Sequence, residues 1–257
     1  MVDASEKGPI LVFLGPTLRL SEAEPVLDAI YLQPAAQGDI LLAAHAFRPR
    51  AMVLIDGQFE DRPAVRHKEI LWAMAQGIVV IGAASMGALR AAELSEFGMI
   101  GVGLIYRWYR RWRLAPDDAV AVLSGPPELG FLPLTDALVD LQRTFSTLTR
   151  RNFISAAECT SLTTTARNMN FRERRFEAIL RDAGWQEEGL KQLRKEIVGQ
   201  KRRDALHALR IAPTLVLRED AARVRGKDAW VATNTFVRDL EAGGIDSKLV
   251  NTYKLNP

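Results

Sequence analysis

The chain has 257 residues, 48% of them hydrophobic, and a formal net charge of +3. That length suits one large domain or a domain with an addition, and the composition fills a sizeable core. A single cysteine, Cys159, excludes an intramolecular disulfide and suits a reducing compartment. The opening MVDASEKGP holds acids and no apolar segment, and no unbroken apolar run approaches the ~18 residues of a membrane span. A cytoplasmic protein without a membrane segment is the expectation. His45, His67 and His207 lie far apart in sequence, offering no metal-ligand spacing, so no metal and no cofactor are expected. The excess of positive charge comes from an Arg-rich second half without a dense basic block, which favours an acidic partner over nucleic acid.

In chain order, PILVFLGPTL (9–18), RAMVLIDGQF (50–59) and GIVVIGAASMG (77–87) are apolar runs closed by small or turn-forming residues, the pattern of buried strands. Helices are predicted between them. SEAEPVLDAIY opens on a capping box from Ser21 to Glu24, GDILLAAHAF follows, and PAVRHKEILWAMAQG runs from Pro63 to a stop at Gly77. The alternation implies an α/β fold, a mostly parallel sheet with flanking helices. Ligands of such sheets bind beyond the carboxyl ends of the strands, so the loops Gly15–Thr17, Asp56–Phe59 and Ala83–Gly87 should converge on one crevice.

Further on, Arg90, Glu93 and Glu96 recur at helical spacing, as on a solvated or salt-bridged face. Trp108 and Trp112 share a helical face with Ile105, which fits a half-buried amphipathic helix better than a nucleic-acid surface. Asp117 and Asp118 follow Pro116 and suit a helix start. After the loop SGPPELGFLPL (124–134) the periodicity is helical almost throughout. The predicted organisation is an α/β core over 1–130 with the active site, a helical appendage over 131–210, and a tail over 211–257 whose WVATNTFV reads as a strand or a helical turn. Arg172, Arg174 and Arg175 on the appendage are candidates to meet an acidic partner.

The segment IVVIGAASMGALRAAE (78–93) sets Ser85 at the tip of a strand-to-helix turn. An N-cap serine is one reading. A nucleophile on a tight elbow is the other, because Ala83-Ala84-Ser85-Met86-Gly87 keeps the small neighbours of a G-x-S-x-G turn. The helix that follows would aim free N–H groups at the oxyanion of an acyl-transfer step, or equally at a bound anion. For a base, His67 aligns with Leu71 and Met74, and Lys68 with Trp72 and Ala75, whereas Arg66, Glu69, Ala73 and Gln76 share an outward face. Both candidates thus lean toward buried flanks, where desolvation lowers a lysine pKa; a snorkelling lysine and a core histidine are the alternatives.

In order, LIDGQF, HKEIL, GAASMGALRAAEL, GMIGVGLIY and DDAVAVL resemble the core of the TfuA-like family over roughly residues 8–125, HKEIL and GAASMGALRAAEL being the specific parts. The resemblance implies a partner of YcaO enzymes in peptide backbone thioamidation, one that releases sulfide from a thiocarboxylated ubiquitin-like (ThiS-like) carrier, with the precursor peptide reached through the complex. It also implies a hydrolase-like Ser-Lys pair, carried over to Ser85 and Lys68. In the mechanism expected from it, Met86 and Gly57 hold the oxyanion, while the small residues Gly15 and Gly87 at the strand ends, with His67 nearby, receive the carrier tail. The competing expectation is a non-catalytic adaptor that docks carrier and peptide substrate onto YcaO.

Overall fold

The computed structural model describes residues 8–58, 62–112, 114–222 and 233–246. Its strands are β1 (Ile10–Phe13), β2 (Ile30–Leu32), β3 (Ala51–Leu54), β4 (Val79–Ala83) and β5 (Ile100–Val102). They form one wholly parallel sheet in the order β2-β1-β3-β4-β5. The order reverses between β1 and β3, and at such a switch point the flanking loops part to open a crevice. The three long apolar runs are strands as expected. The three-residue strands β2 and β5 lie in segments too short to show a period. Pro25 stops the helix predicted over 21–31, because it lacks the N–H that would continue the ladder. What forms is the single turn α1 (Leu20–Ala23), with Arg19 at its N-cap and no side-chain cap, so the Ser21–Glu24 capping box is not made.

The remaining helices are α2 (Asp39–Phe47), α3 (His67–Ala75), α4 (Met86–Leu94), α5 (Gly103–Arg111), α6 (Leu138–Arg150), α7 (Ala156–Asn168), α8 (Phe176–Asp182), α9 (Glu187–Arg194), α10 (Gln200–Ala222) and α11 (Asn234–Ala242). Strand side chains alternate between faces, and two apolar cores result. Leu11, Phe13, Met52, Leu54 and Val80 pack with α2, α3, α4 and the helices that follow. Ile10, Val12, Val53, Ile81 and Ala83 pack with Leu18, Ala23 and a stripe of α10: Ala205, Ala208, Leu209 and Ala212. The first helix is too short to cover its face, so α10 returns from the far end of the chain to complete it. The region read as an appendage therefore supplies one cover of the sheet.

Residues 211–222 extend α10 through Pro213. Of WVATNTFV, residues 230–232 lie outside the described residues, as does Phe59, whereas 234–237 open α11 behind the N-cap Thr233. Asp117–Val120 form a short 3-10 turn after Pro116, as their composition suggested. On α5 Ile105 and Tyr109 are buried and Trp108 packs partly against the same core, a half-buried helix as expected, whereas Trp112 is exposed.

Candidate active site

The turn after β4 is strained. Ala84 has φ +65°, and the Ser85 N–H donates to the Ala83 carbonyl at 2.7 Å, closing a γ-turn of the rare hand. A non-glycine residue held there is disfavoured and persists where its surroundings over-determine it. Those surroundings are close backbone contacts. A Cβ on Gly87 would stand 1.8 Å from the Leu54 carbonyl oxygen, and one on Gly82 2.1 Å from that of Gly87. The Gly87 N–H donates to the Ile55 carbonyl at 3.1 Å, fastening α4 to the end of β3. Ser85 occupies the N-cap position of α4, yet its side chain makes no cap hydrogen bond. The residue as a whole is buried, and among the described residues its hydroxyl is uncommitted.

Ser85 opens into a narrow cavity of about 80 Å³. From the sheet it is lined by Pro16, Pro34, Asp56, Gly57, Gln58 and Met86, so the three strand-end loops do meet; the helical region supplies Phe171, Arg172 and Lys201. The Met86 and Gly57 N–H groups find no acceptor among the described residues. A Cβ on Gly57 would lie 2.7 Å from Met86 Cγ, so glycine leaves room for the Met86 side chain against this loop. Asp56, 1% exposed, pins the β1 loop: its carboxylate accepts from the Gly15 N–H (2.9 Å), the Thr17 N–H (3.2 Å) and the Thr17 hydroxyl (2.5 Å).

Lys201 is 4% exposed. Its Nζ donates to the Val120 carbonyl at 2.8 Å, and its peptide N–H donates to Asp140 at 2.9 Å. Burial pushes the ammonium pKa below the ordinary lysine range, against the opposing pull of the Asp56 and Asp140 carboxylates. Burial likewise raises Asp140 to about 6. Sequence reasoning missed this lysine. The available signal was its spacing: Lys201 falls on the same helical stripe as Ala205, Ala208 and Ala212, the face that packs on the sheet.

The other expected site residues fall elsewhere. Lys68 does not line the cavity; its Nζ donates to the Thr233 hydroxyl at the start of α11. The side chain of His67 is 44% exposed, and its Nε2 meets Glu93 at 2.7 Å, a carboxylate shared with Arg90. Neither is on a buried flank. Instead Glu69 and Ala73, expected outward, are buried. The reason is that the Glu69 carboxylate accepts from the Arg66 N–H of its own helix and from the Gly38 and Ile40 N–H groups of α2. One acid thus serves two helix starts. Gly15 lines an apolar groove that meets the cavity at Pro16 and Phe131. Arg174 is 1% exposed and bonds Asp118 and the Ala166 and Met169 carbonyls, so it holds the fold together and offers no surface to a partner.

These features define an α/β protein of the doubly wound, parallel type, with its candidate site at the carboxyl ends of the strands and a cover of later helices. No curated protein matches the chain. A family model described as TfuA-like protein matches residues 56–175, a span that is thus similar to the TfuA-like family. The family is associated with YcaO enzymes and with thioamidation. The matched span contains Ser85, Met86 and Arg172 and stops short of Lys201. Among the described residues no cluster of His, Cys, Asp and Glu could hold a metal ion, and no helix is long and apolar enough to cross a membrane.

Proposed function

We propose that the protein is a serine hydrolase that releases sulfide from the C-terminal thiocarboxylate of a ubiquitin-like carrier, for use by a YcaO enzyme in backbone thioamidation. The observation that carries the reading is the uncommitted Ser85 hydroxyl on its strained turn, in a cavity shared with a buried lysine. A cavity of about 80 Å³ admits a chain terminus and little more, which suits a carrier that presents only its tail.

In this mechanism neutral Lys201 takes the Ser85 proton, and Ser85 Oγ attacks the thioacid carbonyl carbon. The Met86 and Gly57 N–H groups hold the oxyanion. The C–S bond breaks, and the sulfur departs as hydrosulfide with the proton returned by Lys201. Water, deprotonated by Lys201, then cleaves the acyl-serine to the carrier carboxylate and restores Ser85. The thiocarboxylate is anionic and a poor electrophile. Arg172 in the cavity wall and the N-terminus of α4 offset its charge. Lys201 takes the role first expected of Lys68, because Lys201 lines the cavity into which the serine opens and Lys68 does not.

The test is sulfide release by the purified protein from a thiocarboxylated carrier with no YcaO enzyme present. Release that disappears in Ser85→Ala supports the hydrolase. Full thioamidation by Ser85→Ala, with the carrier as sole sulfur source, supports the adaptor that only docks carrier and peptide.

A further inference from the structure

We propose that the outer edge of β5 and the basic groove beside it bind an acidic, extended segment of a partner polypeptide. The strand β5 ends the sheet and pairs only with β4. No described residue hydrogen-bonds its outer side. Ile100, Gly101 and Val102 line a groove of about 730 Å³ with the aliphatic side chains of Leu104, Ile211 and Leu215. Arg143 and Arg203 line this groove and also an adjoining one of about 520 Å³, whose walls add Arg150, Arg151 and Lys195. Positive charge therefore runs continuously along the path leading from the open strand edge.

Little of that charge is neutralised. Among the described residues Arg151 has a carboxylate partner, Glu196, whereas Arg143, Arg150, Lys195 and Arg203 have none. The Asp204 carboxylate at the groove is spent on the Ile105 N–H and the Gln200 amide. The Nε of Arg143 is buried without a hydrogen-bond partner, a state that costs free energy until an acceptor arrives. An added strand supplies main-chain donors and acceptors to the edge. Its alternate side chains would meet the aliphatic wall and the arginines in turn, and guanidinium forks match carboxylates.

The same charge could attract nucleic acid, but the groove walls argue for a peptide. Single strands need successive aromatic platforms for their bases. The rings lining these grooves are the His207 imidazole and Tyr106, which lies over Gly101 and whose hydroxyl accepts from Arg110, too few for successive platforms. The helix α10 separates the two sites: Lys201 faces the Ser85 cavity, and Gln200, Arg203 and His207 face the groove. A segment bound here leaves the cavity open, and the proposal stands apart from the hydrolase reading.

The experiment uses the whole protein and a fluorescein-labelled peptide of alternating glutamate and valine, followed by anisotropy. The same peptide with lysine for glutamate and a single-stranded RNA of equal length are the comparisons. The acidic peptide should bind most tightly, should lose at least about tenfold in affinity on Arg143→Glu/Arg203→Glu, and should slow hydrogen exchange at the outward amides of β5. Because Arg143 is partly buried, the rim variant Arg150→Glu/Lys195→Glu, with circular dichroism on both, should weaken binding in the same direction. Tighter binding of the RNA or the lysine peptide, affinity unchanged in both variants, or a bound acidic peptide without protection at β5 overturns the proposal.

Discussion

Ser85 at the end of β4 and Lys201 in the first turn of α10 face one cavity, although the family match contains the first and ends before the second. The pairing depends on α10 crossing the sheet, and it yields the sharpest expectations.

Replacing Ser85 by alanine removes one hydroxyl that makes no hydrogen bond among the described residues and fills little space. Sulfide release should fall by at least about a thousandfold, the scale of losing a nucleophile. The thermal midpoint should stay within a few degrees of wild type. Parallel sulfide and melting measurements check both halves.

The two lysines should behave differently. Arginine is always charged near neutral pH, so Lys201→Arg should stop turnover nearly as fully as Lys201→Met, while Lys68→Ala should keep most of it. The wild-type profile should rise with pH along a limb below the ordinary lysine range, since burial lowers the Lys201 pKa. Loss of activity in Lys68→Ala with full activity in Lys201→Arg would return the base to Lys68.

Glu69 gives a stability prediction of definite sign. Burial raises its pKa from 4.5 to about 7, despite the backbone N–H groups that favour the carboxylate. Between those values the folded state holds a proton that the unfolded chain has released, so its contribution falls as pH rises through that window and is level above it. The loss amounts to about 3 kcal/mol at most. Urea midpoints across the window should show the decline, and Glu69→Gln should flatten it.

Gly87→Ala tests the packing that holds the turn. The added methyl would meet a backbone carbonyl at 1.8 Å, and a backbone atom cannot swing aside. A destabilisation of about 3 kcal/mol is expected, read as a lowered denaturation midpoint. Gly57→Ala meets the flexible Met86 side chain; it should cost less stability and disturb sulfide release more.

The parallel sheet was legible because β1, β3 and β4 are buried on both faces and so appear as unbroken apolar runs. The short β2 and β5 were not, since three residues carry no period and each derives its stability from one neighbour. The Ser85 turn was legible in its small residues, because a chain that doubles back against a neighbouring backbone has room for nothing larger. His67 and Lys68 were misplaced by counting the helix from Pro63. It begins at His67, and its buried face is Glu69, Ile70, Trp72 and Ala73, which turns His67 and Lys68 away from the core.

By itself the sequence determined the local facts: which runs are strands, where the chain must turn sharply, and that a hydroxyl stands at that turn. These follow from side-chain size and periodicity within a few residues. Only the tertiary structure decided which cations line a cavity with that hydroxyl, which carboxylate caps two helices, and that Arg174 is interior, because each depends on segments distant in sequence meeting across the sheet. The physical reason is that a buried charge is tolerated only where its surroundings satisfy it, and for Lys201, Glu69 and Arg174 those surroundings exist only once the helices have packed.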